Sequence, residues 1–186
     1  MGLLFVNCCL REGSRTERLA RMWLARHGAD VTEVSLADVE VPPLSRATVA
    51  AYGDAVAAGD YAAPMFDAAR QFAAADEILV AAPLWNFALP AMLHDYLELV
   101  CSQGITFDID AAGGYVSLTH ARRLVFVSTS GGLWPKAEDD HAFGYLETLC
   151  RLFWHVSRVE KVVAEGLDAI GCDVDQALAT AIGNSL

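Results

Sequence analysis

Leu3-Leu4-Phe5-Val6, followed by Asn7-Cys8-Cys9-Leu10-Arg11-Glu12-Gly13 and then Ser14-Arg15-Thr16, is the stretch that decides the fold. An unbroken apolar run with no polar alternation is buried on both faces, as in a central strand of a parallel sheet. The polar segment from Asn7 to Gly13 cannot continue that strand and reads as a loop. Ser14 offers a hydroxyl to cap a helix reaching about His27, with Leu19, Met22, Trp23 and Arg26 at helical spacing and Gly28 as the stop. Strand, polar loop and capped helix are the first half of a strand-helix-strand unit.

The same unit recurs along the chain. Val31 to Ser35, Glu77 to Ala82 (closed by Pro83), Arg123 to Ser128 and Arg158 to Ala164 read as further strands. Between them, Met65 to Ala75, Pro90 to about Ser102, Asp140 to Trp154 and Asp173 to Ile182 read as helices. Proline suits the first turn of a helix, which places Pro90 at a start, and Gly104 ends that segment. The pattern weakens over residues 36–63, where Pro42, Pro43, Gly53 and Gly59 punctuate it and a short helix over Arg46 to Ala57 remains. Ile105 to Leu118 contains Gly113-Gly114 between short β-like pieces and reads as a hairpin-like excursion. Apolar strands alternating with helices predict an α/β fold, a doubly wound five-stranded parallel sheet with helices on both faces. Five strands suit the flavodoxin-like order better than the six-stranded dinucleotide fold. With no repeat or linker, residues 1–186 read as a single domain.

Composition narrows the partners. The chain has 186 residues, is 54% hydrophobic and 20% charged, and carries a formal net charge of -11. That negative field repels phosphate backbones and anionic bilayers, which excludes nucleic acid as an expected partner. The longest apolar stretch, Ile78 to Leu93, is interrupted by Pro83, Asn86 and Pro90 and is too short to span a bilayer, so no membrane insertion is expected. The first residues lack the basic lead of a secretory signal. Cys8, Cys9, Cys101, Cys150 and Cys172 are odd in number and fit no zinc spacing. Reduced thiols and a cytoplasmic location are the simplest reading. The apolar excess predicts a homodimer.

In open parallel sheets, ligands bind outside the carboxyl ends of the strands, near the point where strand order reverses. Three loops fall there. The first contributes Arg11 and Arg15 as cations and Ser14 and Thr16 as hydroxyls beside a helix start, the ingredients of a phosphate cradle. It lacks both G-x-x-x-x-G-K-[ST] and G-x-G-x-x-G. The alternative is an ordinary capped helix with two exposed arginines. The second loop, Pro83-Leu84-Trp85-Asn86-Phe87-Ala88-Leu89-Pro90, offers apolar walls and a few polar groups suited to a flat heteroaromatic ring. Trp85 and Phe87 as core or interface residues are the alternative. The third, Ser128-Thr129-Ser130-Gly131-Gly132, lets backbone approach a ligand closely, or is a plain strand-to-helix turn.

These residues resemble the flavodoxin-like NAD(P)H dehydrogenase (quinone) and FMN-dependent azoreductase family. Pro83-Leu84-Trp85-Asn86-Phe87 is similar to its Pro-Met-Tyr-Asn-Phe loop, Gly104-Ile105-Thr106-Phe107 to its Gly-Val-Thr-Phe stretch, Ser128-Thr129-Ser130-Gly131-Gly132 to its Thr-Ser-Arg-Gly-Gly turn, and Val163-Ala164-Glu165-Gly166 to its Ala-Glu-Gly ending. Cys8-Cys9 stands where the family commonly has Ser-Ser, Ser130 replaces an arginine, and Leu152-Phe153-Trp154-His155 is bulkier than the family's stretch.

The resemblance implies FMN in preference to FAD, with NADH or NADPH as electron donor. It implies that Ser14, Arg15 and Thr16, with Cys9 and Arg11 beside them, hold the phosphate. Pro83, Leu84, Trp85, Asn86, Phe87, Thr129, Ser130, Gly131 and Gly132 would hold the ring, and Trp85 and Phe107 would wall the substrate space. The implied activity is ping-pong reduction of a small aromatic acceptor, whether quinone-like, azo or nitroaromatic. No side chain is expected to act as acid or base, and no metal is expected. His94, His120, His141 and His155 are scattered and read as surface or packing residues. A flavodoxin-type electron carrier serving a protein partner and a nucleotide-sensing regulatory subunit are the alternative functions.

Overall fold

The structure is a computed structural model, and it describes residues 2–27 and 30–184. Its centre is a five-stranded sheet built from β1 (Gly2–Asn7), β2 (Asp30–Ser35), β3 (Glu77–Ala81), β6 (Arg123–Thr129) and β7 (Arg158–Ala164). The spatial order is β2-β1-β3-β6-β7, and every neighbouring pair is parallel. The doubly wound sheet is therefore the one the apolar runs predict. The edge strand β2 is exposed along its first four residues, while β1, β3 and β6 are buried almost throughout.

Alternate residues of the central strands feed two separate cores. Leu4, Val6, Ile78, Val80, Leu124 and Phe126 pack under α3 (Asp67–Ala74), α4 (Ala91–Val100) and α5 (Phe143–Leu149). Leu3, Phe5, Leu79, Val125 and Val127 pack under α1 (Arg15–His27) and α6 (Val174–Gly183). The period of two thus converts a continuous apolar run into two faces, each covered by helices.

Helix α1 starts as the sequence requires. The Ser14 hydroxyl accepts from the Glu17 N–H at 3.3 Å, and Leu19, Ala20 and Trp23 form the buried stripe. The expected stop at Gly28 lies outside the described residues. The helix expected from Pro90 begins one residue later: Pro90 is extended, with ψ 144°, and serves as the flank of α4. The Met65–Ala75 prediction resolves into a tight turn at Pro64–Phe66 followed by α3.

The helix expected from Asp140 starts at Phe143, because Asp140 uses its carboxylate to accept the Phe143 N–H at 2.9 Å. It then widens into a π turn over Cys150–Trp154 that ends on His155 at φ 47°. The predicted excursion is real: β4 (Phe107–Ile109) and β5 (Tyr115–Ser117) form an antiparallel hairpin. Helix α2 (Arg46–Ala58), closed by Gly59 at φ 69°, buries none of its residues. Among the described residues, no helix is long and apolar enough to cross a membrane.

Candidate functional site

Strand order reverses between β1, whose chain continues outward to β2, and β3, from which it continues the other way. The carboxyl ends of β1, β3 and β6 meet there. Backbone bonds extend the ladder beyond the strands: Cys8 N–H donates to Ala81 O at 2.8 Å, Ala82 N–H to Val127 O at 3.1 Å, and the Ser128 hydroxyl to Ala82 O at 2.7 Å. The three loops are therefore held by the sheet itself. A cavity of about 290 Å³ opens between them.

Arg11, Ser14, Arg15, Thr16, Pro83, Leu84, Trp85, Thr129, Ser130 and Gly131 line this cavity. The Thr16 and Thr129 hydroxyls lie 2.7 Å apart and are buried, which ties the first turn of α1 to the end of β6. Thr129 belongs to the strand, not to the loop that the glycine pattern suggested, because its pairing with Ala164 continues the β6–β7 register. The Arg15 guanidinium donates to Leu167 O at 3.1 Å and to Asp168 Oδ1 at 2.8 Å. The Arg11 guanidinium stands 5.9 Å from the centre of the Trp85 ring, within cation–π range.

The second loop is a two-residue turn. Trp85 and Ala88 exchange backbone hydrogen bonds at 3.2 and 3.0 Å, which forces Asn86 to φ 52° and Phe87 to φ 63°. Asparagine tolerates that left-handed conformation, whereas phenylalanine pays for it, and such strain gathers at functional sites. The turn carries Phe87 outward, 60% exposed.

Several expected residues are not brought to the cavity. Asn86, Phe87 and Gly132 stand outside its lining. Cys9 is buried instead: its amide donates to Asn7 Oδ1 at 3.1 Å and its thiol faces Ala81 O at 3.8 Å. Burial pushes that thiol up to about 11, so it stays a neutral S–H, a weak donor turned to Ala81 O and away from the cavity.

Phe107 is also elsewhere. Ten residues of α4 carry the chain away from the carboxyl end of β3, about 15 Å at the helical rise. The hairpin's exit then bonds to the end of α3 and to the residue before β3, with His120 N–H on Ala73 O and Arg122 N–H on Asp76 O. Phe107 stacks on Phe153 at 4.4 Å, beside Tyr115. Of the histidines, His94 packs near Tyr145, and His120, His141 and His155 are exposed.

Sequence reasoning missed Asp168, which lines the cavity from the loop after β7. It also missed the anchor beneath the first loop. Asn7 Nδ2 donates to Glu17 Oε1 and Glu33 Oε1 at 3.3 and 3.0 Å, and Arg21 pairs with both carboxylates. Neither has a linear signal, since the anchor's partners come from β1, α1 and β2, and Asp168 from the loop after β7. Among the described residues, no group of His, Cys, Asp and Glu is arranged to hold a metal ion.

A doubly wound parallel sheet with a polar, cation-bearing cavity at its strand-order switch is the arrangement in which open α/β proteins bind ligands. The family model with the flavodoxin-like fold matches residues 1–184, and the chain belongs to that family. An FMN-dependent NADH:quinone oxidoreductase of Brevibacillus brevis is 37% identical over 100 residues, covering 52% of this chain and 47% of that protein. One of Clostridium perfringens is 33% identical over 108 residues, covering 58% and 54%. The chain thus spans about half the length of the curated relatives it matches. An azoreductase structure from Bacillus anthracis superposes with a TM-score of 0.83 at 22% identity, covering 100% of this chain and 96% of that one. An FMN-dependent NADH-azoreductase from the same species, in complex with FMN, gives 0.83 at 20% identity over the same shares.

Proposed function

We propose that this chain is an FMN-dependent oxidoreductase that takes electrons from NADH or NADPH and passes them to a quinone-like, azo or nitroaromatic acceptor. The observation that carries this reading is the cavity: cations and hydroxyls at a helix start on one side, Leu84 and Trp85 on the other. The names of the matched relatives support the same chemistry.

The residues present fit FMN in kind. Ser14, Thr16 and the unpaired amides of the first turn of α1 suit a phosphate, with Arg11 and Arg15 supplying charge. At 290 Å³ the cavity lies near the lower end of ligand sites, about 300–1,000 Å³. It therefore encloses one end of an extended ligand and leaves a flat ring on the open Leu84–Phe87 side. When bound, the flavin supplies the hydride and electron transfer itself. The chain's part is to fix the phosphate, lay the ring against the turn, and let Trp85 exclude water from its exposed face. One shared face for donor and acceptor implies a ping-pong order and no side-chain acid or base.

We further propose a cytoplasmic homodimer of one domain per chain. Val39, Leu44, Val49 and Met65 are 37–54% exposed around an apolar groove of about 800 Å³ beside α2. Light scattering at micromolar concentration should give twice the chain mass, and a monomer throughout would remove the dimer.

The decisive test is uptake of FMN by the purified chain, followed by NADH oxidation with a quinone and no protein partner. Binding of about one FMN per chain with turnover is expected. FMN binding without turnover would favour an electron carrier, and no binding would sink the proposal.

A further inference from the structure

Asp168 is a carboxylate at the edge of a cavity that also presents Arg11 and Arg15. Gly166, Leu167 and Asp168 donate their N–H groups to Gly132 O, Ser130 O and Gly131 O at 2.8, 3.2 and 3.0 Å. That backbone clamp lays the loop after β7 along the loop after β6 and fixes where the carboxylate sits. A Cβ at Gly131 would come within 2.0 Å of Asp168 Oδ2. Gly131 does not have a positive φ, and a side chain there would meet the far end of the exposed Asp168 side chain, which would have to move aside.

The carboxylate holds Arg15. Its Oδ1 accepts from Arg15 Nη2 at 2.8 Å, while Arg15 Nη1 donates to Leu167 O at 3.1 Å. The pair joins the start of α1 to the β7–α6 loop, and both residues line the cavity. The two side chains are 35% and 68% exposed, so water and salt screen the pair and opening it costs little. The neutral Leu167 carbonyl would keep the guanidinium aimed into the cavity after the carboxylate has left.

From this geometry we infer that Asp168 is a competing internal ligand for Arg15, so that a phosphate-bearing molecule gains the guanidinium by displacing the carboxylate. The inference rests on the cavity being the phosphate site of the proposed function. Carboxylate and phosphate both seek the planar donor fork of one guanidinium, and the Asp168 carboxylate's bond to Nη2 withdraws the paired geometry that a phosphate takes best. A second consequence is charge: the retained carboxylate sits near the arriving phosphate and repels it. Asp168 thereby lowers affinity for phosphate without touching affinity for an uncharged ring, which makes it a specificity-determining residue of the cavity.

The test is titration of the whole chain and its Asp168→Asn variant with FMN, riboflavin and inorganic phosphate at low salt. Asparagine keeps the shape over Gly131 and removes the charge; Asp168→Ser is a second variant should asparagine disturb the packing there. FMN and inorganic phosphate should each tighten by about three- to tenfold, the scale of one exposed ion pair plus one like charge. Riboflavin should change less than about twofold, as it bears no phosphate. In an Arg15→Ala background the same substitution should tighten phosphate by no more than about twofold, because the shared donor is gone. Equal gains in both backgrounds would mean simple repulsion and would overturn the competition, as would unchanged or weaker phosphate binding in Asp168→Asn. If neither flavin binds any variant, the proposed function falls, and the inorganic phosphate series still decides the role of Asp168.

Discussion

Replacing Thr16 with valine tests the link between the start of α1 and the end of β6 at the hydrogen bond between Thr16 and Thr129. Valine matches threonine in shape, so the change removes a hydroxyl and leaves no void. In the native protein the two hydroxyls are 2.7 Å apart, Thr16 is 1% exposed and Thr129 8%. The substitution strips Thr129 of that partner in a nearly dry position. An unsatisfied buried hydroxyl costs about 1–3 kcal/mol, more than the roughly 1 kcal/mol net value of the bond itself. For a chain of this size, each kcal/mol moves Tm by about 2–4 °C. Thr16→Val should therefore lower Tm by a few degrees. Thr16→Val with Thr129→Val should recover most of that loss, because no hydroxyl is left orphaned. Denaturant unfolding of the four proteins of this cycle gives the coupling directly. Additive losses in the double variant would refute the argument, since they would mean that each hydroxyl has other partners. FMN affinity of the double variant should fall even as stability returns, which separates binding from folding.

Three further outcomes follow from the structure. Trp85 is half-buried at the cavity edge, so Trp85→Ala should cost clearly less than the 3–5 kcal/mol of a core tryptophan while reducing kcat/KM for a quinone about tenfold; severe unfolding would assign it to the core instead. His27 is stacked on Trp23, receives the Arg123 guanidinium at 2.5 Å, and has Glu77 4.0 Å away. Its imidazole is held below the ordinary value of 6.5, by burial first and then by Arg123, with Glu77 opposing and Arg158 adding to the depression. The unfolded chain thus takes up the proton more readily, so this contribution is present above about pH 6.5 and is lost as pH falls through the lower folded value. His27→Gln should flatten the Tm profile in that window, and an unchanged acid slope would exclude His27 as its source. Finally, burial pushes Cys8, Cys101 and Cys150 up to about 12 and Cys9 to about 11, so native alkylation at pH 8 should leave these four unreacted long after Cys172 is labelled; rapid labelling of Cys9 would contradict its burial against Ala81.

Much of this molecule was legible in its residues one segment at a time. Leu3 to Val6, Glu77 to Ala82 and Arg123 to Ser128 carry no polar alternation, and only a strand covered on both faces tolerates that. Ser14 declared the start of α1 through its hydroxyl. The polar loops fall at one end of the sheet as a consequence of the parallel crossovers, and so the sequence brings Arg11, Ser14, Thr16, Leu84 and Trp85 to one place, where they line one cavity.

What the chain alone could not decide was every relation between groups distant in sequence. Cys9 reads as a loop residue by position, yet the close approach of β3 places Ala81 over it and turns it inward. Phe107 reads as part of a motif, yet α4 carries it to the other end of the sheet. The glycine at 131 reads as room for a ligand, yet the space beside it belongs to Asp168, 37 positions later in the chain. Local periodicity fixes which faces are apolar, because that depends on neighbours a few residues apart. Which charge meets which cation at the cavity depends on loop packing between β6, β7 and α1, and that is set only when the sheet has closed its register.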